Sequence, residues 1–553
     1  MKTIKNIILV VLFGTLVAFL LYIAPNYKID ENEKLTNLVI NYSNVTGRMK
    51  GEVIIEDDGT IYISKNDIEN YYDKYIYYDK KYDYIVATAN DKSACFVIKA
   101  ETLNINGEIS TAKIIYKDDM HYIPISKIED VYNIDVNYIP AYNTVMIESL
   151  NKELITAKTN DQLNIKYKNT EFSKTLEKVE SNQKLAIVPN KENKNYNGWT
   201  LVRTENGKIG YVKTEKLADT VTDRAETVKE NKMISLVWEY FSEEGGKAPL
   251  REENEKYEGI NAISPAFFYL EKSEVKENIG ERGINYITWA KSNNYEIWAR
   301  VANNNDSKAK MDEFSEWIND YKKRQYVINQ IVNYVQKYDL DGINIDFENI
   351  YMADKDSLSR FIIELKPQLA NLNATLSVDV TEPDGSENWS LCYNRNIIGD
   401  VADYIVFMAY DQHGSSSKTA GSVAAYNWVE KNVKKFINQE EVDSNKIILG
   451  IPLYTRLWEQ VENEKPQSRV IEIKNINKYI PSDVEVQWLE DEKQNYIEYT
   501  KNGKTYKMWI ENEKSISEKL DLIKKYNLSG AAFWQKSLGD ESIWKIVKEK
   551  LLE

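Results

Sequence analysis

Two histidines and two cysteines are all that 553 residues contain. A catalytic zinc held by two or three imidazoles needs more than His121 and His413, so that chemistry is all but excluded. Cys95 and Cys392 lie about 300 residues apart, too few and too distant for a disulfide framework. An oxygen-ligated metal stays open in principle, but no calcium-loop spacing occurs, and neither a cofactor nor a metal is expected. Basic charge is in deficit: 71 Lys and Arg stand against 86 Asp and Glu, a net charge of −15. With no basic block to offset it, this balance argues against a nucleic-acid partner. Disorder is excluded by what is present, since 42% hydrophobic and 12% aromatic residues suffice for real cores. The length predicts about three or four domains.

One long apolar run stands out, from Ile7 to Ala24, behind Lys2 and Lys5. As a helix it reaches about 27 Å, close to the thickness of a bilayer's hydrocarbon core. It exceeds the usual signal-peptide core and lacks a small-x-small cleavage site, because Tyr22 would stand at −3 and Pro25 would follow the cut. Lysines before the run and Asp30, Glu31 and Glu33 after it place the N-terminus in the cytoplasm. Residues 1–30 are therefore expected to form a cytoplasmic tip and single transmembrane helix, with the rest of the chain outside the cell. A cleaved export signal is the alternative and leads to the same compartment.

Residues 35–150 carry short Tyr- and Ile-rich strand patterns with a weak repeat of about 60 residues. Asp57-Asp58-Gly-Thr-Ile-Tyr-Ile-Ser followed by Ile68-Glu69-Asn-Tyr-Tyr returns as Asp118-Asp119-Met-His-Tyr-Ile-Pro-Ile followed by Ile128-Glu129-Asp-Val-Tyr. The stretch resembles the small α+β module named after the N-terminal domain of copper amine oxidases; it implies no oxidase, because the histidine ligands are absent. Residues 155–217 resemble a small all-β bacterial Src-homology-3-like barrel, on Gly198-Trp199-Thr-Leu-Val-Arg-Thr-Glu-Asn-Gly207-Lys-Ile-Gly210-Tyr-Val212. Glu-Asn-Gly within it is a tight-turn signal joining two strands. Ala218 to Lys229 reads as a solvated linker.

The last domain, 230–553, holds eight candidate strands separated by helical patterns or longer insertions: Ile234–Trp238, Gly259–Pro265, Glu296–Val301, Gly342–Phe347, Thr375–Val380, Tyr404–Met408, Ile447–Pro452 and Gly530–Trp534. Before the fourth, Ile328, Ile331, Val332 and Val335 make an amphipathic helical stripe. Repeated β-then-α units over this length predict a (β/α)8 barrel, in which chemistry gathers at the C-terminal ends of the strands. The fourth strand alternates Ile343, Ile345 and Phe347 with Asn344, Asp346 and Glu348, so two carboxylates share one face of a strand expected to be buried. Their Cα atoms lie about 6.6 Å apart by strand rise, so both approach a bound glycoside from one side. Two-carboxylate glycosidases instead need acids flanking the scissile bond. Glu348, outermost, is placed to protonate a leaving oxygen; the attacking group comes from another strand (Asp379 or Asp411) or from the substrate itself.

Asp341-Gly-Ile-Asn-Ile-Asp-Phe-Glu348 resembles the Asp-x-x-Asp-x-Asp-x-Glu signature of glycoside hydrolase family 18. Met408-x-Tyr410-Asp411 is similar to its sixth-strand motif, Gly450-Ile-Pro-Leu-Tyr454-Thr-Arg456 to its seventh-strand pattern, and Trp534 to its eighth-strand tryptophan. Tyr410-Asp-Gln-His413 with Ala420-Gly-Ser-Val423 points to the subgroup acting on bacterial walls and spore cortex. The resemblance implies a retaining, substrate-assisted glycosidase. Glu348 is then the acid/base and Asp346 orients the 2-acetamido group. Tyr410 hydrogen-bonds that group, Asp411 holds sugar or acid, and Trp534 floors the −1 subsite, with Met408 and Asn344 completing the pocket. Asn344 departs from the pattern's middle aspartate, and an amide is unable to carry charge. Asp341, of opposite parity, reads as structural. His413 reads as a rim residue, while Tyr454 and Arg456 are open between sugar binding and structure. The expected partner is an N-acetylated glycan, peptidoglycan first and chitin second, met by a monomer. A non-hydrolytic sugar-binding protein on the same fold is the competing reading.

Overall fold

The computed structural model describes residues 13–17, 35–89, 91–190, 196–225, 232–241 and 256–553. The expected anchor over Ile7–Ala24 falls outside the described residues except for 13–17, which are helical. No helix among the described residues is long and apolar enough to cross a membrane. The chain divides into two compact units, one of Met1–Ala89 with Ala94–Lys229 and one of Asn90–Ser93 with Glu230–Glu553.

In the first unit the two copies of the repeat meet each other. Strand Ile61–Ser64 runs into helix Lys65–Tyr71, strand Met120–Pro124 into helix Glu129–Tyr132, and the two strands pair antiparallel with Ile63 opposite Ile123. Ser64 caps the first helix by accepting from the Asp67 amide at 3.1 Å. Alternate residues of these strands and of Thr144–Ser149 bury one core around Leu38, Ile63, Ile68, Phe96, Ile123 and Val145. Farther along, seven antiparallel strands from Leu154–Lys158 to Val221–Arg224 enclose Ile165, Val179, Leu185, Val202 and Val212. The Glu-Asn-Gly turn joins Trp199–Arg203 to Ile209–Lys213 as expected, with Gly207 at φ 78°. The linker expected from Ala218 is corrected: Val221–Arg224 adds an edge strand beside Leu154–Lys158. Its side chains are nearly all exposed, so it carried no apolar alternation to reveal it.

The second unit contains the barrel. Its strands are β1 (Ile234–Glu239), β2 (Ala262–Pro265), β3 (Glu296–Ala302), β4 (Gly342–Asp346), β5 (Thr375–Val380), β6 (Tyr404–Phe407), β7 (Ile447–Pro452) and β8 (Gly530–Trp534), all paired in parallel. Closure comes from β8 on β1 and from β2 on β3. Gly530 makes the first of these possible: at φ 152° it lies so close to β1 that a Cβ would sit 1.8 Å from the Ile234 carbonyl oxygen. Helices α1 (Gly280–Ser292), α2 (Lys308–Ile318), α3 (Tyr321–Tyr338), α4 (Lys355–Ala370), α5 (Arg395–Val401), α6 (Tyr426–Asn438), α7 (Glu513–Tyr526) and α8 (Glu541–Val547) surround it. Among the described residues no helix follows β1; two follow β3. The strands match their expected spans to within three residues, β2 being the shortest of the set relative to expectation.

Strand parity sorts the side chains into two cores. Ile343, Ile345 and Phe347 face outward onto Val327, Ile328, Ile331 and Val335 of α3 and Phe361 of α4. Inside the barrel, Ile234, Leu236, Trp238, Trp298, Val406, Ile448 and Ala532 form an apolar plug. The polar face of β4 therefore points inward, and pairing with β3 on one side and β5 on the other excludes a solvated edge strand. Asp339, in the left-handed conformation at φ 50°, ends α3 and turns the chain into β4. Asp341 then accepts from the Ile297 amide at 2.9 Å, the structural role expected of it. After β7 the chain departs into a five-stranded antiparallel sheet spanning Tyr454 to Ile510, which strand-and-helix periodicity did not foretell.

Candidate active site

Three carboxyl groups and one guanidinium meet at the C-terminal end of the barrel. Asp346, the last residue of β4, is 3% exposed, and Glu348 stands two residues beyond it, only partly covered. Asp379 on β5 is 1% exposed. Arg300, on β3, grips Asp346 Oδ2 through Nε at 2.5 Å and through a terminal nitrogen. The other oxygen, Asp346 Oδ1, is buried and has no hydrogen-bond partner among the described residues.

Burial, then the adjacent Asp346 charge, raises the Glu348 carboxyl to about 8 against the opposing pull of Arg300. Glu348 is thus protonated at neutral pH, as a general acid requires. Burial and Asp346 likewise hold Asp379 well above the usual carboxylate range. Asp379 is also buried and accepts from Asn344 at 2.7 Å, which counts against it as the attacking group. Burial works against the charge of Arg300, but Asp346, Asp379 and Glu348 more than offset it and keep the guanidinium charged.

Asn344, fully buried, is saturated. Its Oδ1 accepts from Trp238 Nε1 at 2.8 Å and Ser264 Oγ at 3.2 Å, while its Nδ2 donates to Ser377 Oγ at 3.0 Å and Asp379 Oδ1 at 2.7 Å. It is a cross-brace from β4 to β1, β2 and β5. All four of its hydrogen-bonding positions go to the protein.

The aromatic wall comes from three strands. Trp238 of β1 lies edge-on to Tyr410, past β6, at 6.4 Å and to Trp534 of β8 at 5.8 Å. Arg300 lies over the Trp534 ring at 5.7 Å. Burial, then the neighbouring Asp379 and Asp346 carboxyls, raises the Tyr410 phenol, so it acts as a neutral donor. Met408 is buried at the same end of β6. Asp411 is exposed, at φ 56°, where Tyr454 donates to it at 2.7 Å and Arg456 approaches at 3.4 Å. Its charge still acts on Glu348. Tyr454 and Arg456 thus hold the rim aspartate. His413 packs against Gly421 and pairs with the Ser422 carbonyl at 3.0 Å, on the loop beyond.

Sequence reasoning missed two contributors. Arg300 interrupts the apolar run Ile297-Trp-Ala-Arg-Val-Ala at an inward position, a signal that was legible but carried no motif. Asn303 donates through Nδ2 to the Glu348 carbonyl at 2.7 Å and accepts from the Glu348 amide at 3.0 Å, fixing that backbone beyond the end of β4. It also lines a neighbouring cavity of about 510 Å³ between Tyr269, Lys310 and Trp317, the one point where that cavity touches this cluster.

Comparison with known proteins agrees with this geometry. A sequence profile for glycosyl hydrolases family 18 matches residues 237–538. The glycosylase YvbX of Bacillus subtilis is 27% identical over 298 residues, covering 52% of this chain and 84% of YvbX. The cortical fragment-lytic enzyme of Bacillus subtilis is 22% identical over 257 residues, covering 45% of this chain and 59% of that enzyme's length. The fold is shared with the Bacillus megaterium spore cortex-lytic enzyme SleL, at TM-score 0.50 and 21% identity over 61% of this chain and 79% of SleL. With the barrel, its acids and the matched span in agreement, the chain belongs to glycosyl hydrolases family 18 and is a glycosidase.

Proposed function

We propose that this chain cleaves β-1,4 linkages after N-acetylglucosamine in peptidoglycan, with retention, using the substrate's own acetamido group as nucleophile. The observation that carries the reading is the pairing at one strand end: Glu348, whose carboxyl burial and Asp346 raise to about 8, stands two residues from an Asp346 gripped by Arg300, with a third carboxyl, Asp379, buried on the next strand and held well above the usual carboxylate range. Glu348 gives its proton to the leaving glycosidic oxygen as the C1–O bond breaks. The acetamido carbonyl oxygen closes on C1, and Asp346 accepts from the amide N–H and balances the positive charge that develops on the ring. Tyr410 donates to the same carbonyl oxygen, and Trp534 forms the floor. Water, deprotonated by Glu348, then opens the ring from the face that the leaving group vacated.

Likeness to a cortical fragment-lytic enzyme supports a bacterial-wall polymer, and likeness to a di-N-acetylchitobiase keeps chitin as the second substrate. An N-terminal anchor with the bulk of the chain outside the membrane suits a wall substrate, since a tethered enzyme gains little against distant chitin. The modules at 35–150 and 155–217 are proposed to contact the wall, as the copper-amine-oxidase-N-terminal-like and Src-homology-3-like patterns suggest. The test is release of reducing ends from purified, N-acetylated glycan strands by the full chain and by Glu348→Gln. Release is expected to fall by at least about 1,000-fold in the variant, and a thiazoline mimic of the cyclised intermediate should inhibit the wild type. Equal release by both proteins would reject Glu348 as the acid, and indifference to the thiazoline would reject substrate assistance.

A further inference from the structure

The three clustered carboxyls are accounted for by one cation, and that cation lies outside every motif that marks the site. Both contacts from Arg300 converge on the same oxygen, Asp346 Oδ2, which leaves the buried Oδ1 without a hydrogen-bond partner among the described residues. Asn344 gives Asp346 nothing, because Trp238, Ser264, Ser377 and Asp379 occupy all of its hydrogen-bonding positions. The guanidinium also lies over Trp534, so one side chain ties the anion to the pocket's floor.

We propose that Arg300 is a positioning residue for the substrate-assisted reaction: it holds Asp346 as a fixed anion with Oδ1 aimed at the acetamido N–H, a task that the uncharged and saturated Asn344 does not perform. The inference rests on the reading above. Its physical basis is charge balance in a poorly solvated site. One guanidinium stabilises one carboxylate, and the remaining two carboxyls keep their protons. The groups that act on Glu348 are Asp346 of its own strand, Arg300 of β3 and Asp411 beyond β6. Asp379 of β5 is acted on by Asp346, Arg300 and Glu348, and Tyr410 by Asp379, Asp346, Tyr454 and Glu348. Without Arg300, two adjacent carboxyls share a single proton, and Asp346 spends part of its time neutral and unable to balance the ring's charge. A merely structural ion pair between β3 and β4 would instead affect folding and leave the chemistry's pH dependence alone.

The test uses the full chain and N-acetylated glycan strands, with kcat/KM measured across pH for the wild type, Arg300→Gln, Arg300→Lys, Asp346→Asn and the double variant Arg300→Gln with Asp346→Asn, each checked by thermal melting. Arg300→Gln is expected to lose about 100-fold in kcat/KM, most severely on the acid side, so that the acidic limb moves toward neutral pH. Arg300→Lys restores the charge but not the two-pronged grip. It should keep the wild-type limb and lose about 10-fold in kcat. In the Asp346→Asn background, Arg300→Gln should cost less than about threefold, because the residue it serves is already neutral.

A uniform loss at every pH, or an equal loss in the Asp346→Asn background, would overturn the proposal. If Arg300→Gln fails to fold, Arg300→Lys decides, and an undiminished kcat there would overturn it equally. A wild type that neither cleaves nor binds the thiazoline would defeat the functional reading instead, so the two failures are told apart.

Discussion

Glu348 holds a proton that its unfolded counterpart has long surrendered, and this has two consequences. Activity depends on the protonated form, so kcat/KM should fall as pH rises through about 8 and should hold on the neutral side of that limb. Stability follows the same proton. Between the ordinary glutamate value of about 4.5 and about 8, the folded chain binds more protons than the unfolded one, so stability falls as pH rises through that window. Glu348→Gln removes the group that titrates. Its melting temperature should therefore match that of the wild type near pH 4 and exceed it by pH 8 to 9; a gap that is constant with pH would contradict the assignment. Asn344 makes the complementary case. Asn344→Asp sets a carboxylate against Asp379, 2.7 Å away, in place of a donated hydrogen bond. It should destabilise by roughly 2–4 kcal/mol, increasingly at higher pH, as measured by chemical denaturation.

At the scale of elements, β4 is defined by its two faces and by the turn that delivers it. The outward row of Ile343, Ile345 and Phe347 anchors the strand against α3 and α4, which fixes the register that points Asn344 and Asp346 inward. A slip of one residue would exchange the acids for isoleucines. Closure of the barrel depends on a different strand, where Gly530 lets β8 approach β1 without a side chain between them. Gly530→Ala should cost roughly 3 kcal/mol or more, from backbone strain at a positive φ and a clash with main-chain atoms that are unable to yield. A melting point within a degree of the wild type would show that the seam accommodates more than this geometry allows.

Across the whole molecule, each unit buries its own hydrophobic residues: the barrel's outer core is drawn from Val237 to Val547, while the N-terminal unit's two cores are drawn from Leu38 to Ile147 and from Ile165 to Val212. Removing residues 35–225 should therefore leave hydrolysis of soluble glycan strands within about twofold of the full chain, because all the groups placed at the site belong to β1–β8 and the loops that follow them. Cleavage of intact wall sacculi should drop by about 10-fold or more if the N-terminal modules bring the enzyme to the polymer. Muropeptide release measured on both substrates separates these outcomes, and an equal effect on the two would remove the wall-contact role from the modules.

The alternation of Ile343 to Glu348, the eight strand patterns and the ordered motifs at Met408, Tyr454 and Trp534 were enough to predict a barrel and the end at which its acids gather, because side-chain parity along a strand is local geometry. The repeat at Asp57 and Asp118 was legible for the same reason, as like sequences fold into like strand-then-helix pieces. The exposed edge strand at Val221–Arg224 and the five-stranded sheet after β7 were not, since neither announces itself through a buried apolar period. Nor does any spacing in the chain say that Arg300, 46 residues before Asp346, grips that carboxylate, or that Asn344 is spent on Trp238, Ser264, Ser377 and Asp379. Those pairings, and the burial beside Asp346 that raises the Glu348 carboxyl, depend on which strands become neighbours when the sheet closes, and only the folded barrel brings distant charges within a few ångströms of one another.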